Sequence, residues 1–126
     1  MKSRSIAVVV FAALLVGCGS ARPPATRISD VAVLAGTYTG SMDERGFALR
    51  QSRLVIHRDG TFEITIGEPK GLRTNGHLLA QPDGSLVYRY GDLKGTGAVY
   101  EGGGRRVIVL TQSDGEATIT VDTSVP

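Results

Sequence analysis

Three times this chain sets Asp-Gly between runs of alternating apolar and polar residues: Arg58-Asp59-Gly60, Pro82-Asp83-Gly84 and Ser113-Asp114-Gly115. Glycine supplies the positive φ that a tight reversal demands, and Asp bonds back to its own turn, so each unit predicts a β-hairpin. The related stretches HRDGTFEITI, QPDGSLVYRY and QSDGEATITV are therefore one recurring hairpin, not a long-period solenoid repeat. The other links, Asp43 to Gly46, Glu68 to Gly71, Gly91-Asp92 and Gly102-Gly103-Gly104, are as short. They leave no room for crossover helices, so each strand must pair antiparallel with the next.

Eight strands follow from this punctuation: Gly36 to Met42, Phe47 to His57, Thr61 to Gly67, Leu72 to Gln81, Ser85 to Tyr90, Leu93 to Glu101, Arg105 to Gln112 and Glu116 to Asp122. Alternation is plainest where Phe62, Ile64 and Ile66 interleave with Thr61, Glu63 and Thr65, giving one dry and one wet face. The predicted inward set is Tyr38, Leu54, Ile56, Phe62, Ile64, Ile66, Leu78, Leu86, Tyr88, Tyr90, Ile119 and Val121. An antiparallel meander of this length closes on itself or folds into two sheets. Closure removes exposed edges, and Gly40, Gly76, Gly95 and Gly97 permit the bends that a small barrel needs. The expected fold is all-β, a single eight-stranded up-and-down barrel over residues 34–126, with a two-sheet sandwich as the alternative.

Ahead of the strands, Lys2 and Arg4 precede an apolar run from Ile6 to Val16, then Gly17 and the single Cys of the chain, Cys18. Basic start, apolar middle and small residues at the cut site make a secretory signal. The apolar run gives roughly 16 Å of helix against a hydrocarbon core of about 30 Å, too short to span. Leu15-Val16-Gly17-Cys18 resembles the lipobox of bacterial lipoproteins. That resemblance implies a signal peptide over residues 1–17 and a mature chain beginning at a lipid-bearing, palmitate-type Cys18. By the same resemblance, to lipoprotein sorting in double-membraned bacteria, Gly19 in place of Asp implies transfer to the outer membrane, facing the periplasm, over retention at the inner one. Residues 18–33, polar and carrying Pro23-Pro24, read as a flexible tether.

The net charge of +2 belongs to Lys2 and Arg4, so the remainder is formally neutral. No basic stripe with interleaved aromatics marks a nucleic-acid partner. With Cys18 committed to lipid there is no disulfide, and the core, which lacks Trp, must hold the fold by itself.

Chemistry-bearing residues are sparse. His57 and His77 alternate with apolar neighbours and face outward, and no third His or free Cys completes a metal site. There is no Gly-x-Ser-x-Gly elbow. Asp59, Asp83 and Asp114 have turn roles. The glycine-rich link before Arg105 and Arg106 joins two strands with no helix dipole to favour phosphate. These readings predict no enzyme, no metal and no cofactor.

Gly36-Thr37-Tyr38 at the first strand resembles the Gly-x-Trp signature of lipocalins and their calycin relatives, with Tyr in place of Trp. That resemblance implies an up-and-down barrel whose aromatic ring closes one end and whose interior takes a small apolar ligand. The candidate ligand-binding residues are Tyr38, Phe62, Tyr88 and Tyr90, since a buried phenol seeks a hydrogen-bond partner. The leading expectation is a lipid-anchored envelope protein that binds a small apolar or amphipathic molecule in or at the barrel mouth. The alternative is a packed barrel that docks an envelope protein through an outer patch including Val55, Val87 and Leu79.

Overall fold

The structure, a computed structural model, describes residues 24–67 and 72–124. The signal, the lipobox with Cys18 and the expected link from Glu68 to Gly71 lie outside the described residues.

Eight strands form one closed antiparallel barrel in sequence order: β1 (Gly36–Glu44), β2 (Arg50–Ile56), β3 (Thr61–Ile66), β4 (Leu72–Ala80), β5 (Leu86–Tyr90), β6 (Leu93–Gly102), β7 (Arg105–Gln112) and β8 (Ala117–Ser124). The last strand returns to the first, with Gly40 opposite Val121 and Met42 opposite Ile119, so the sandwich alternative is excluded. The fold is the closed up-and-down barrel expected from the sequence, lipocalin-like in its topology.

The Asp-Gly turns work as their chemistry requires. Asp59 Oδ1 accepts from Thr61 N at 3.0 Å and Thr61 Oγ1 at 2.6 Å, and Asp83 Oδ1 does the same with Ser85. Those hydrogen bonds hold both carboxyls below the usual carboxylate range. Asp114 accepts from Glu116 N, and Gly60, Gly84 and Gly115 all take positive φ.

One strand start differs from expectation by more than a single residue. Phe47 to Leu49 are not in β2 but in the link before it, with Phe47 and Leu49 exposed. Pairing of β1 with β2 stops at Met42 and Arg50, because Gly46 takes positive φ and Arg45 N turns to Glu116 O beside β8.

All twelve predicted inward residues face the core; Tyr90 alone is half-buried. Met42, Val99, Ile108, Leu110 and Ala117 join them. Inward glycines make room for rings. A Cβ on Gly76 would lie 2.5 Å from Phe62 Cζ, and one on Gly95 2.6 Å from Tyr88 Cε2.

The tether is shorter than the sequence suggests. Thr26 N donates to Val99 O at 2.6 Å, Ile28 N to Gly84 O at 2.8 Å, and Ile28 is buried. A 3-10 turn, Val31–Leu34, follows, capped by Asp30 Oδ1 on Ala32 N, with Leu34 fully buried. Residues 26–34 are thus part of the barrel, and they close one of its ends. Ile28 is the only large apolar residue in the polar run before Val31, which is why periodicity misses it.

Candidate functional site at the barrel mouth

The two ends of the barrel are unlike. At the end where β1 starts, Tyr38 Oη donates to Leu34 O at 2.7 Å. Arg106 Nη1 donates to Val33 O at 2.9 Å, and the Arg106 guanidinium pairs with Glu101 at 2.7 Å. Core residues toward this end, Leu34, Tyr38, Leu54, Ile56, Ile108 and Val121, are 0–2 % exposed. Tyr38, the aromatic of Gly36-Thr37-Tyr38, thus lies at this sealed end.

Toward the opposite end, Met42, Ser52, Ile66, Tyr88, Ala117 and Ile119 are 4–6 % exposed. The rim carries exposed Phe47, Leu49 and Leu93. It also carries the inward-facing polar residues Glu44, Arg50 and Gln112, in phase with the core positions of β1, β2 and β7.

Arg50 is the central group. Its Nη2 donates to Glu44 Oε1 and lies 3.7 Å from Met42 Sδ, while the Phe47 ring covers the guanidinium at 5.6 Å. Its Nε is buried and bonds to nothing among the described residues, and neither does the buried Ser52 Oγ, two residues deeper on the same face. Unpaired buried polar atoms cost about 1–3 kcal/mol each, so two at neighbouring inward positions of β2 call for a partner. Across the barrel, the rings of Tyr88 and Tyr90 stack at 5.8 Å, and Phe62 meets Tyr88 edge-on at 6.4 Å. Gln112 Nε2 donates to Asp114 at 3.0 Å.

The fold therefore brings Phe62, Tyr88 and Tyr90 together and leaves Tyr38 at the far, sealed end, where its hydroxyl is already bonded. Tyr38 is not part of the mouth. The sequence reading misses Arg50 and Ser52, although the signal is present. They share the phase of Leu54 and Ile56, and polar residues in an inward phase mark a site or a plug.

Burial pushes the Tyr88 phenol up to about 12, helped by Tyr90 and Asp114, and burial first, then Glu44 and Asp114, raises Tyr90. A phenol with a raised folded-state pKa adds nothing to the pH dependence below about 10, where both states are protonated. It withdraws stability as pH rises from there through about 12. Unfolding free energy is thus expected to fall steeply over that window, and Tyr88→Phe to flatten the slope. Denaturant titrations at stepped alkaline pH would measure it, and an unchanged slope in the variant would refute the assignment.

Among the other polar groups considered from the sequence, Arg106 lies over the sealed end, while His57, His77 and Arg105 are exposed. His57 Nε2 lies 3.4 Å from Glu63 Oε2, and no three His, Cys, Asp or Glu side chains converge as metal ligands among the described residues. Arg105 pairs with Asp122 at 2.6 Å, so both arginines after the glycine-rich link serve the fold. The expected outer patch is divided. Leu79 pairs with Val87, while Val55 lies opposite Glu63, which in turn faces Asn75. Compared with family models, with curated proteins and with solved structures, the chain matches none.

Proposed function

We propose that this protein is a lipid-anchored, non-enzymatic component of the cell envelope, attached through Cys18 to the outer membrane, that holds a small amphipathic molecule in its barrel mouth. The observation that carries this reading is the pair of buried, unpartnered polar atoms, Arg50 Nε and Ser52 Oγ, at the end of the barrel opposite the sealed one. Met42, Ile66, Ile119 and the Tyr88–Tyr90 stack suit the apolar part of a ligand. Arg50 and Ser52 both donate, so they suit an acceptor such as a carbonyl or carboxylate at its polar end.

Native mass spectrometry of the full-length protein, extracted in mild detergent, tests it. Extra mass that leaves on activation is expected from the wild type and strongly reduced in Ser52→Ala. The same substitution is expected to stabilise the empty fold by about 1 kcal/mol, because it removes an unsatisfied hydroxyl. A bare wild-type mass together with a destabilised Ser52→Ala would sink the proposal, since the hydroxyl would then serve packing alone.

A further inference from the structure

The outside of the barrel carries a second feature that the mouth does not use. Cross-strand register lines up Thr61 on β3, His77 on β4, Arg89 on β5 and Lys94 on β6. Strands lie about 4.8 Å apart, so the three basic side chains form a row roughly 10 Å long across the sheet. Arg45, Arg50, Arg105, Arg106 and His57 each face a carboxylate, but none of the ion pairs among the described residues takes in His77, Arg89 or Lys94. Like charges on neighbouring strands repel. Arg89 and Lys94, side by side and left unneutralised, are a local cost that a carboxylate-bearing partner would remove.

Depressions flank the row. One of about 520 Å³ is bordered by His57, Glu63, Asn75, His77 and Arg89. Another of about 570 Å³ is bordered by His77, Leu79, Val87, Arg89, Lys94 and Thr96. Leu79, an exposed apolar side chain, pairs with Val87 one outward row away from the cations. The face thus offers a charged row and an apolar step beside it.

We infer that this β4–β6 face docks an acidic protein segment, one that sets carboxylates on His77, Arg89 and Lys94 and an apolar side chain against Leu79 and Val87. Arg89 can take a carboxylate in two parallel hydrogen bonds, while Lys94 acts as a point charge. A sulfated polymer or a bilayer surface would satisfy the cations through charge alone and would not need Leu79 at a fixed place beside them. The combination favours a polypeptide.

The test uses the full chain in mild detergent and a fluorescein-labelled peptide of repeating Glu-Glu-Leu, followed by anisotropy. Saturable binding is expected at low salt, weakening about tenfold or more as NaCl is raised past about 0.1 M, where charges more than about 10 Å apart are screened. Arg89→Glu with Lys94→Glu is expected to lose at least about tenfold, Arg89→Gln with Lys94→Gln less, and Leu79→Ser several-fold. All these positions are exposed strand sites, and circular dichroism confirms that each variant folds. Peptide binding unchanged by the double charge reversal overturns the inference. So does unchanged binding by Leu79→Ser with dextran sulfate competing fully, which would make the face a plain polyanion site. Self-association of the wild type that charge reversal abolishes would also overturn it, by giving the face to a second copy of this chain.

Discussion

Gly40→Ala is expected to destabilise the barrel by about 3 kcal/mol, the upper part of the usual range for overpacking. In a domain of this size that is a fall in Tm of roughly 12–24 °C. A Cβ at residue 40 would overlap Thr120 O and stand 2.7 Å from Val121 Cα. Both are backbone atoms of β8, so no side chain can swing aside; the strands themselves must part. They meet at the seam that closes the barrel, where Gly40 pairs with Val121. Backbone entropy works the other way, since Ala restricts the unfolded chain, but that gain is below about 1 kcal/mol and loses. Gly97→Ala is the matched control. Its nearest contacts would be Leu110 Cδ2 at 3.1 Å and Leu86 Cβ at 3.2 Å, so the neighbours need give by only a few tenths of an ångström. A cost within about 1 kcal/mol is expected there. Thermal unfolding of both variants decides the matter. Equal, small shifts would mean that the seam yields more easily than its geometry implies.

The barrel is legible in the sequence because its determinants are local. Asp59-Gly60, Asp83-Gly84 and Asp114-Gly115 each fix a reversal by themselves, and short links between alternating runs leave antiparallel neighbours as the sole topology. Phase then assigns faces, which is why Phe62, Ile64 and Ile119 fall inward on sequence alone. What depends on distant partners is not legible. Ile28 is buried because Gly84 and Val99 supply backbone partners far along the chain, and nothing in PPATRISD announces them. Arg106 follows a glycine-rich link that carries no sign of its role, yet it ties Val33 and Glu101 over the sealed end. Phe47 reads as strand and is instead a rim residue over Arg50, because the length of β1 is set by its pairing with β8 as much as by its own residues. The mouth falls between these cases. Arg50 and Ser52 are in an inward phase by sequence, but only the closed barrel shows that Arg50 Nε and Ser52 Oγ are buried without a partner.

Cys18→Ser is expected to abolish lipid labelling of the chain and to leave residues 1–17 uncleaved. In the lipoproteins that this segment resembles, the modified Cys defines the processing site. Incorporation of a palmitate analogue in growing cells, followed by intact mass, would read both effects. Labelling that persists in the variant would remove the proposed anchor. Two or more acyl chains hold a protein stably on a bilayer where one chain binds only marginally, so loss of the site changes location outright. The consequence reaches the mouth. Thr26 is pinned to Val99 near the sealed end, and the eight residues from Cys18 to Thr26 span at most about 29 Å. An anchor at Cys18 therefore turns the sealed end toward the bilayer and the Phe47, Leu49 and Leu93 rim away from it. Fluorophores placed through Phe47→Cys and Arg58→Cys, each on a rim or turn at opposite ends, make this measurable against a headgroup quencher. The label at residue 58 is expected to be quenched more strongly. Stronger quenching at residue 47 would put the mouth against the membrane, and its ligand would then have to arrive from the lipid rather than from the aqueous side.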